Sequence, residues 1–207
     1  MRSCGSALLG LLLLCAVSAD AQAQSEKAVV AVLETALGRI ELEVFVDKAP
    51  HSAGSFLKFL DDGRYKGAGF YRVVRPDNDN GEPAISVIQG GLLDQAAITS
   101  DDLVPHETTE ITGIKHRDGA LSLARGAPGT GSGGMFFICI GDQPALDFGA
   151  TRNADGQGFA AFGRVITGMD VVRAINAMRE TQAVDDPYVK NQILAEPVMI
   201  LDAHRRR

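Results

Sequence analysis

Residues 39–46 read Arg-Ile-Glu-Leu-Glu-Val-Phe-Val. Ile40, Leu42, Val44 and Val46 fall on one face, and Arg39, Glu41 and Glu43 on the other. A period of two with one wet face marks a strand of an antiparallel sheet. Just upstream, residues 29–34 (V-V-A-V-L-E) form a second β-rich run, and T-A-L-G at 35–38 turns the chain between them. The two runs predict a hairpin. Downstream, Pro50 opens a helical segment with Phe56, Leu57 and Leu60 at core spacing, and Gly63 stops it.

The same pattern continues along the chain. Further strands are expected at 69–74, 85–89, 119–124, 135–140, 159–166 and 197–202. A second helix is expected at 167–179, with Thr167 as its cap, Asp170 reciprocating, and Met169, Val172, Ala174, Ile175 and Met178 on its apolar face. Strands without regular helical crossovers argue against a βαβ architecture. A closed barrel removes the exposed edges of such a set. The predicted fold is mainly β: a closed eight-stranded antiparallel β-barrel capped by two α-helices.

The first 23 residues carry a different signal. Arg2 precedes an apolar run at 7–17, and small residues follow at 19–23. That order is expected of a secretory signal peptide, with 24–207 forming one domain of roughly 184 residues and a periplasmic or secreted address. The run is too short to span a bilayer, and no later segment reaches eighteen apolar residues. Cys4 and Cys15 lie in the leader, which leaves Cys139 alone and no intrachain disulfide. Lys plus Arg number 20 and Asp plus Glu 26, a formal charge of −6. Losing Arg2 and Asp20 would leave that balance unchanged. An acidic chain is a poor partner for nucleic acid, and three arginines at 205–207, on an end expected to fray, do not alter that. Apolar residues make up 45% of the chain, too many for a disordered one. A monomer is expected.

Several motifs are decoys. H-R-D at 116–118 and D-F-G at 147–149 are kinase words, but Leu123 stands where a kinase needs Asn, and the Gly-rich loop and its lysine are missing. G-T-G-S-G-G at 129–134 lacks the Gly-Lys-Ser/Thr of a phosphate loop and lies between strands, so it reads as a flexible wall of an active site. D-N-D-N-G at 77–81 hints at calcium, yet position twelve would be Ile88, so a solvated turn is the better account. The four histidines form no zinc motif. Cys139, between Ile138 and Ile140, reads as a buried inert thiol. No metal and no cofactor are called for.

What remains is an arginine and an amide among apolar strands. Alternation over F-Y-R-V-V at 70–74 places Phe70, Arg72 and Val74 on one face, with Arg72 inward and in need of acceptors. Gln89 ends the next strand before Gly90 and Gly91. Beside Phe137 and Leu146, these two polar groups would make an apolar pocket with two polar fingers, suited to an extended peptide carrying a small apolar side chain. The set contains no nucleophile, general base or metal ligand.

Taken in order, the segments resemble the cyclophilins, which are peptidyl-prolyl cis–trans isomerases. F-Y-R-V-V at 70–74 and S-V-I-Q-G-G at 86–91 are similar to the family's F-H-R-V-I and F-M-x-Q-G-G. Ser122-Leu123-Ala124, the loop at 126–134 and G-M-F-F-I at 134–138 are similar to its S-M-A, Gly/Asn-rich loop and S-Q-F-F-I. Leu146-Asp147 and F-G-R-V at 162–165 complete a likeness over about residues 28–202, and the stretches around them resemble bacterial exported members.

The resemblance implies roles residue by residue. Arg72 would be the catalytic arginine, Gln89 would orient the substrate backbone, and Phe137, Val87 and Leu146 would form the proline pocket. Ala124 and Arg125 would lie along the peptide groove. Tyr71 replaces the histidine of F-H-R, and Phe159 falls where a pocket-lining histidine is common. It also implies the eight-stranded barrel, no cofactor, and proline-containing segments of exported client proteins as partners. Ser86 and Met135 depart from the pattern, where an aromatic and a glutamine are usual; Ser86 removes an apolar wall unless the longer 75–85 segment supplies one, and the 76–84 turn is either a substrate-selecting or lid element at the mouth or a bland surface insertion. Those departures keep open a noncatalytic proline-peptide binding or scaffold module, and they predict weak binding of cyclosporin-like drugs.

Overall fold

The computed structural model describes Met1 and residues 28–206. The segment expected to be a signal peptide lies outside these described residues. Eight strands close into one barrel: β1 (Ala28–Thr35), β2 (Gly38–Phe45), β3 (Gly69–Val74), β4 (Val87–Gly91), β5 (Ala120–Leu123), β6 (Met135–Cys139), β7 (Ala160–Thr167) and β8 (Ile193–Arg205). Their order around the barrel is β1-β2-β7-β5-β6-β4-β3-β8, with β8 closing on β1, and every pairing is antiparallel. Three helices pack on it: α1 (Pro50–Asp61), the one-turn α2 (Thr109–Thr112) and α3 (Met169–Asn176). The expected barrel and its two main helices are present; α2 had no periodic signal to announce it.

The barrel interior is filled by alternating side chains. Leu33, Ile40, Leu42, Val44, Ile88, Leu121, Phe136 and Ile138 are buried there, joined by Phe56 from α1 and Ile175 from α3. Phe56 meets the rings of Tyr65, Phe136 and Phe162 at 5.2–5.3 Å. No side chain of the α1 cap residue Ala49 satisfies the free amides of that helix. Glu107, distant in sequence, does so instead. Its carboxylate accepts from the Ser52 hydroxyl and from the backbone amides of His51 and Ser52 at 2.7–3.1 Å. A negative charge at a helix N-terminus is also favoured by the helix dipole.

Three local expectations are corrected. Strict alternation through 70–74 fails, because a β-bulge lies between Phe70 and Arg72 in the pairings of β3 with both β4 and β8. The extra residue turns Phe70 into the barrel core while Arg72 and Val74 line an outer pocket. Arg72 is therefore not an inward residue. Thr167 does not cap the second helix; it still pairs with Glu41 in β7, and Gly168, at φ +92°, makes the turn. A Cβ at Gly168 would sit 2.3 Å from the Arg39 carbonyl oxygen, so only glycine fits. Finally, Arg205 and Arg206 do not fray. Arg205 is in β8 and pairs with Asp61, and Arg206 pairs with Glu41. Among the described residues no helix is long and apolar enough to cross a membrane.

Candidate active site

Outward-facing side chains of β3, β4, β5 and β6 (Val74, Val87, Ala120, Phe137 and Cys139) join Ile85, Ala124 and Leu146 from the adjoining segments in a second, smaller apolar cluster. Strand register aligns a row across it. Arg72 pairs with Gln89, Gln89 with Phe137, and Phe137 with Ser122. A cavity of about 110 Å³ opens on this row. Of the residues expected from sequence, Arg72, Gln89, Phe137, Val87, Ala124, Arg125, Leu146 and Phe159 all line it. Cys139 lies beneath, fully buried, and burial pushes its thiol pKa far up.

Arg72 is held by amides, with no carboxylate among its hydrogen-bond partners. Its Nε and Nη2 donate to Oε1 of Gln192 at 2.9 and 2.6 Å, and its Nη1 donates to Oε1 of Gln89 at 3.0 Å. Gln192 is fully buried, and its own Nε2 donates to the Asn78 carbonyl. A guanidinium has five N–H groups, so two remain for another acceptor. Burial lowers the Arg72 pKa from its ordinary value, and the neighbouring Tyr188 works against that shift. At neutral pH the group stays charged.

Tyr71 is not a pocket wall. It is buried, and its phenol oxygen accepts from Nε2 of Gln89 at 3.0 Å and Nε2 of Gln95 at 3.3 Å. It thereby fixes which way the Gln89 amide faces, with the carbonyl toward Arg72. Burial raises the Tyr71 pKa, so the phenol stays protonated.

Phe137 is clamped from two sides. Phe159 meets it edge-on at 5.3 Å, and His116 stacks on it at 6.0 Å and 13°. His116 is fixed in turn: Nδ1 lies 2.8 Å from Asp147 Oδ1 and Nε2 lies 3.1 Å from Ser122 Oγ. The two kinase-like words thus meet in space, His116 from one and Asp147 from the other, behind the Phe137 ring. Burial lowers the His116 pKa in spite of Asp147, so the ring is neutral at pH 7. Arg125 packs over Phe159 at 5.3 Å, with its guanidinium bound to Asp155 and to the Gly158 carbonyl.

Two residues of the remaining wall, Arg152 and Tyr188, carry no local sequence signal. Ile85, Arg152 and Tyr188 also line the cavity. Asp77 and Asn80 of the D-N-D-N-G stretch are exposed, as a solvated turn requires, but the Asp79 side chain is buried and accepts from both terminal nitrogens of Arg152 at 2.7–2.8 Å and from the amides of Gly81 and Ile85. Burial opposes ionisation of Asp79, yet those bonds hold its pKa below the usual carboxylate value. Gly81 lies flat against the Arg152 guanidinium, where a Cβ would come within 2.7 Å of its central carbon. Asn80 donates to the carbonyls of Tyr188 and Lys190. Ile85 thus supplies apolar wall beside Ser86. The glycine-rich run, by contrast, packs on α1, where Gly133 donates to Ser55 Oγ, and no residue of 129–134 lines the cavity. Among the described residues no cluster of three His, Cys, Asp or Glu could hold a metal.

Comparison with known proteins agrees with this geometry. Residues 30–204 match the family described as cyclophilin type peptidyl-prolyl cis-trans isomerase. A peptidyl-prolyl cis-trans isomerase of Acinetobacter baylyi is 32% identical over 69% of each chain. The A isomerase of Dickeya dadantii is 30% identical over 83% of this chain and 82% of its own. A crystal structure of a Cryptosporidium parvum cyclophilin superposes with a TM-score of 0.62 at 19% identity, covering 87% of this chain and 98% of that one. The chain belongs to the cyclophilin-type peptidyl-prolyl cis–trans isomerase family. It is an isomerase of proline-containing peptides.

Proposed function

We propose that the isomerase turns X–Pro bonds by arginine-assisted amide rotation in the pocket of Phe137, Val87 and Leu146. The observation that carries this reading is the cross-strand row of Arg72, Gln89 and Phe137 over the cavity. The barrier to rotation is amide resonance, about 20 kcal/mol. Rotation makes or breaks no covalent bond. As the bond twists, the proline nitrogen loses conjugation and gains a lone pair. An N–H of Arg72 donates to that lone pair, which the planar ground state does not offer, and so favours the twisted state alone. The guanidinium is already held by Gln192 and Gln89, so little reorganisation accompanies the step. Phe137, Val87 and Leu146 hold the ring, while Ala124 and Arg125 border the groove for the peptide.

The client proteins in this reading are exported ones, acted on by a monomer in the periplasm. The support is the Arg2, apolar-run and small-residue order of residues 1–23. Ser86 and Met135 favour the alternative, a binding module without turnover. Two measurements decide. Exchange spectroscopy on a short Ala-Pro peptide should show acceleration by the mature protein, and a bound peptide without acceleration would favour the binding module. Mass spectrometry of the periplasmic fraction should find a chain beginning near residue 24, and a full-length cytoplasmic chain would overturn the exported role.

A further inference from the structure

The pocket has one wall that reaches into solvent. Tyr188 is 49% exposed, whereas every other lining residue is buried or half-buried. Its position is built, not incidental. The guanidinium carbons of Arg72 and Arg152 lie 5.3 and 5.9 Å from its ring centre. Arg152 Nη2 donates to its hydroxyl at 3.3 Å, Asn80 to its carbonyl at 3.3 Å, and its amide donates to Asp186 Oδ1 at 2.8 Å. Arg152 is itself locked by Asp79. Three loops, around 79, 152 and 188, thus converge to hold one aromatic ring half in water beside Arg72.

We infer that Tyr188 is a specificity-determining contact, stacking on the residue next to the substrate proline and favouring an aromatic or large apolar side chain there. A half-exposed ring at the rim of an apolar pocket gains most by covering its remaining face with another apolar group. Its hydroxyl oxygen already accepts from Arg152. The carboxylate Asp79 neutralises Arg152, as Asp155 does Arg125, so among the lining cations only Arg72, held by amides, lacks a carboxylate partner.

This inference rests on the isomerase reading, and the test separates the two. Isomerisation is measured on peptides with Gly, Phe or Glu placed in turn before and after proline. The enzymes are the wild type, Tyr188→Ala and Tyr188→Phe, with melting curves to confirm folding. The wild type should favour a Phe peptide over its Gly counterpart by about three- to ten-fold in kcat/KM, in line with an aromatic pair. Tyr188→Ala should lose that preference, its Phe-to-Gly ratio in kcat/KM falling to near one, and Tyr188→Phe should retain it. A uniform loss across all peptides would make the ring only a prop for Arg72 and overturn the inference. So would a wild type indifferent to the flanking residue, or one preferring Glu. A wild type that accelerates no peptide would instead break the isomerase reading.

Discussion

Arg72 depends on residues that no local motif announces. Gln192, 120 positions away, binds two of its nitrogens. Gln192→Leu keeps the size and removes the acceptor, leaving the guanidinium with Gln89 alone. We expect kcat to fall about ten-fold, with peptide affinity little changed, as for a lost hydrogen bond to a charged group. Kinetics with a saturating peptide check this, and an unchanged kcat would show that Gln192 does not position Arg72. Arg72, Gln89 and Phe137 were legible because each sits in a short strand motif, and register then joins them. Gln192, Asp79, Arg152 and Tyr188 were not, because they come from loops with no periodicity and meet only through the closed barrel. Even within β3 the alternation misled, since a one-residue bulge carries no distinct sequence signal.

The elements around the site are tied by distant single residues. Glu107 replaces a missing local cap on α1. Glu107→Ala should lower stability by about 2 kcal/mol, the scale of hydrogen bonds to a buried charge. Denaturant unfolding measures it, and a loss near zero would mean water serves those amides equally well. The 76–84 loop is tied in the same manner through Asp79 and Arg152. Gly81→Ala would drive a methyl into the Arg152 guanidinium. The expected outcome is a several-fold rise in KM, from a displaced Tyr188 wall, with kcat held because Arg72 keeps its own partners. A fall in kcat alone would place the loop's influence on Arg72. The place of this loop between the Arg72 and Gln89 strands was legible, and its internal clasp was not. Its acids and amides suit a solvated turn, and only the partner Arg152, 73 residues on, makes it a buried clasp. The strands were far more legible, because eight short β-rich runs without helical crossovers leave a barrel as the simplest closure, and the glycine at 168 explains the one misjudged helix start.

For the molecule as a whole, acid should act in two stages. His116 has a folded pKa below its ordinary 6.5 because of burial, so the unfolded chain binds the extra proton first and stability falls as the pH drops below 6.5. Asp79, Asp147 and Asp155 have folded pKa values below 3.8, so their contribution is present above that value and is lost as the pH falls through it. Thermal melts from pH 8 to 3 should show both declines, and His116→Gln should flatten the first while leaving the second. A wild-type melting temperature flat between pH 6.5 and 5 would contradict the account of a neutral buried imidazole. Catalysis should not follow this profile near neutrality, because Arg72 keeps its charge there.

The central claim is that the Arg72 guanidinium stabilises the twisted amide. The most direct measurement is the exchange rate of an X–Pro peptide with Arg72→Ala and Arg72→Lys, alongside the peptide dissociation constant. The account predicts that both variants lose about ten-fold or more in kcat while the dissociation constant moves by less than about three-fold, because the lost interaction forms only in the transition state. Lysine should not rescue, since a single ammonium does not reproduce the planar fork by which Nε and Nη2 hold Gln192 and Nη1 holds Gln89. Full activity in either variant, or a loss confined to binding, would contradict it.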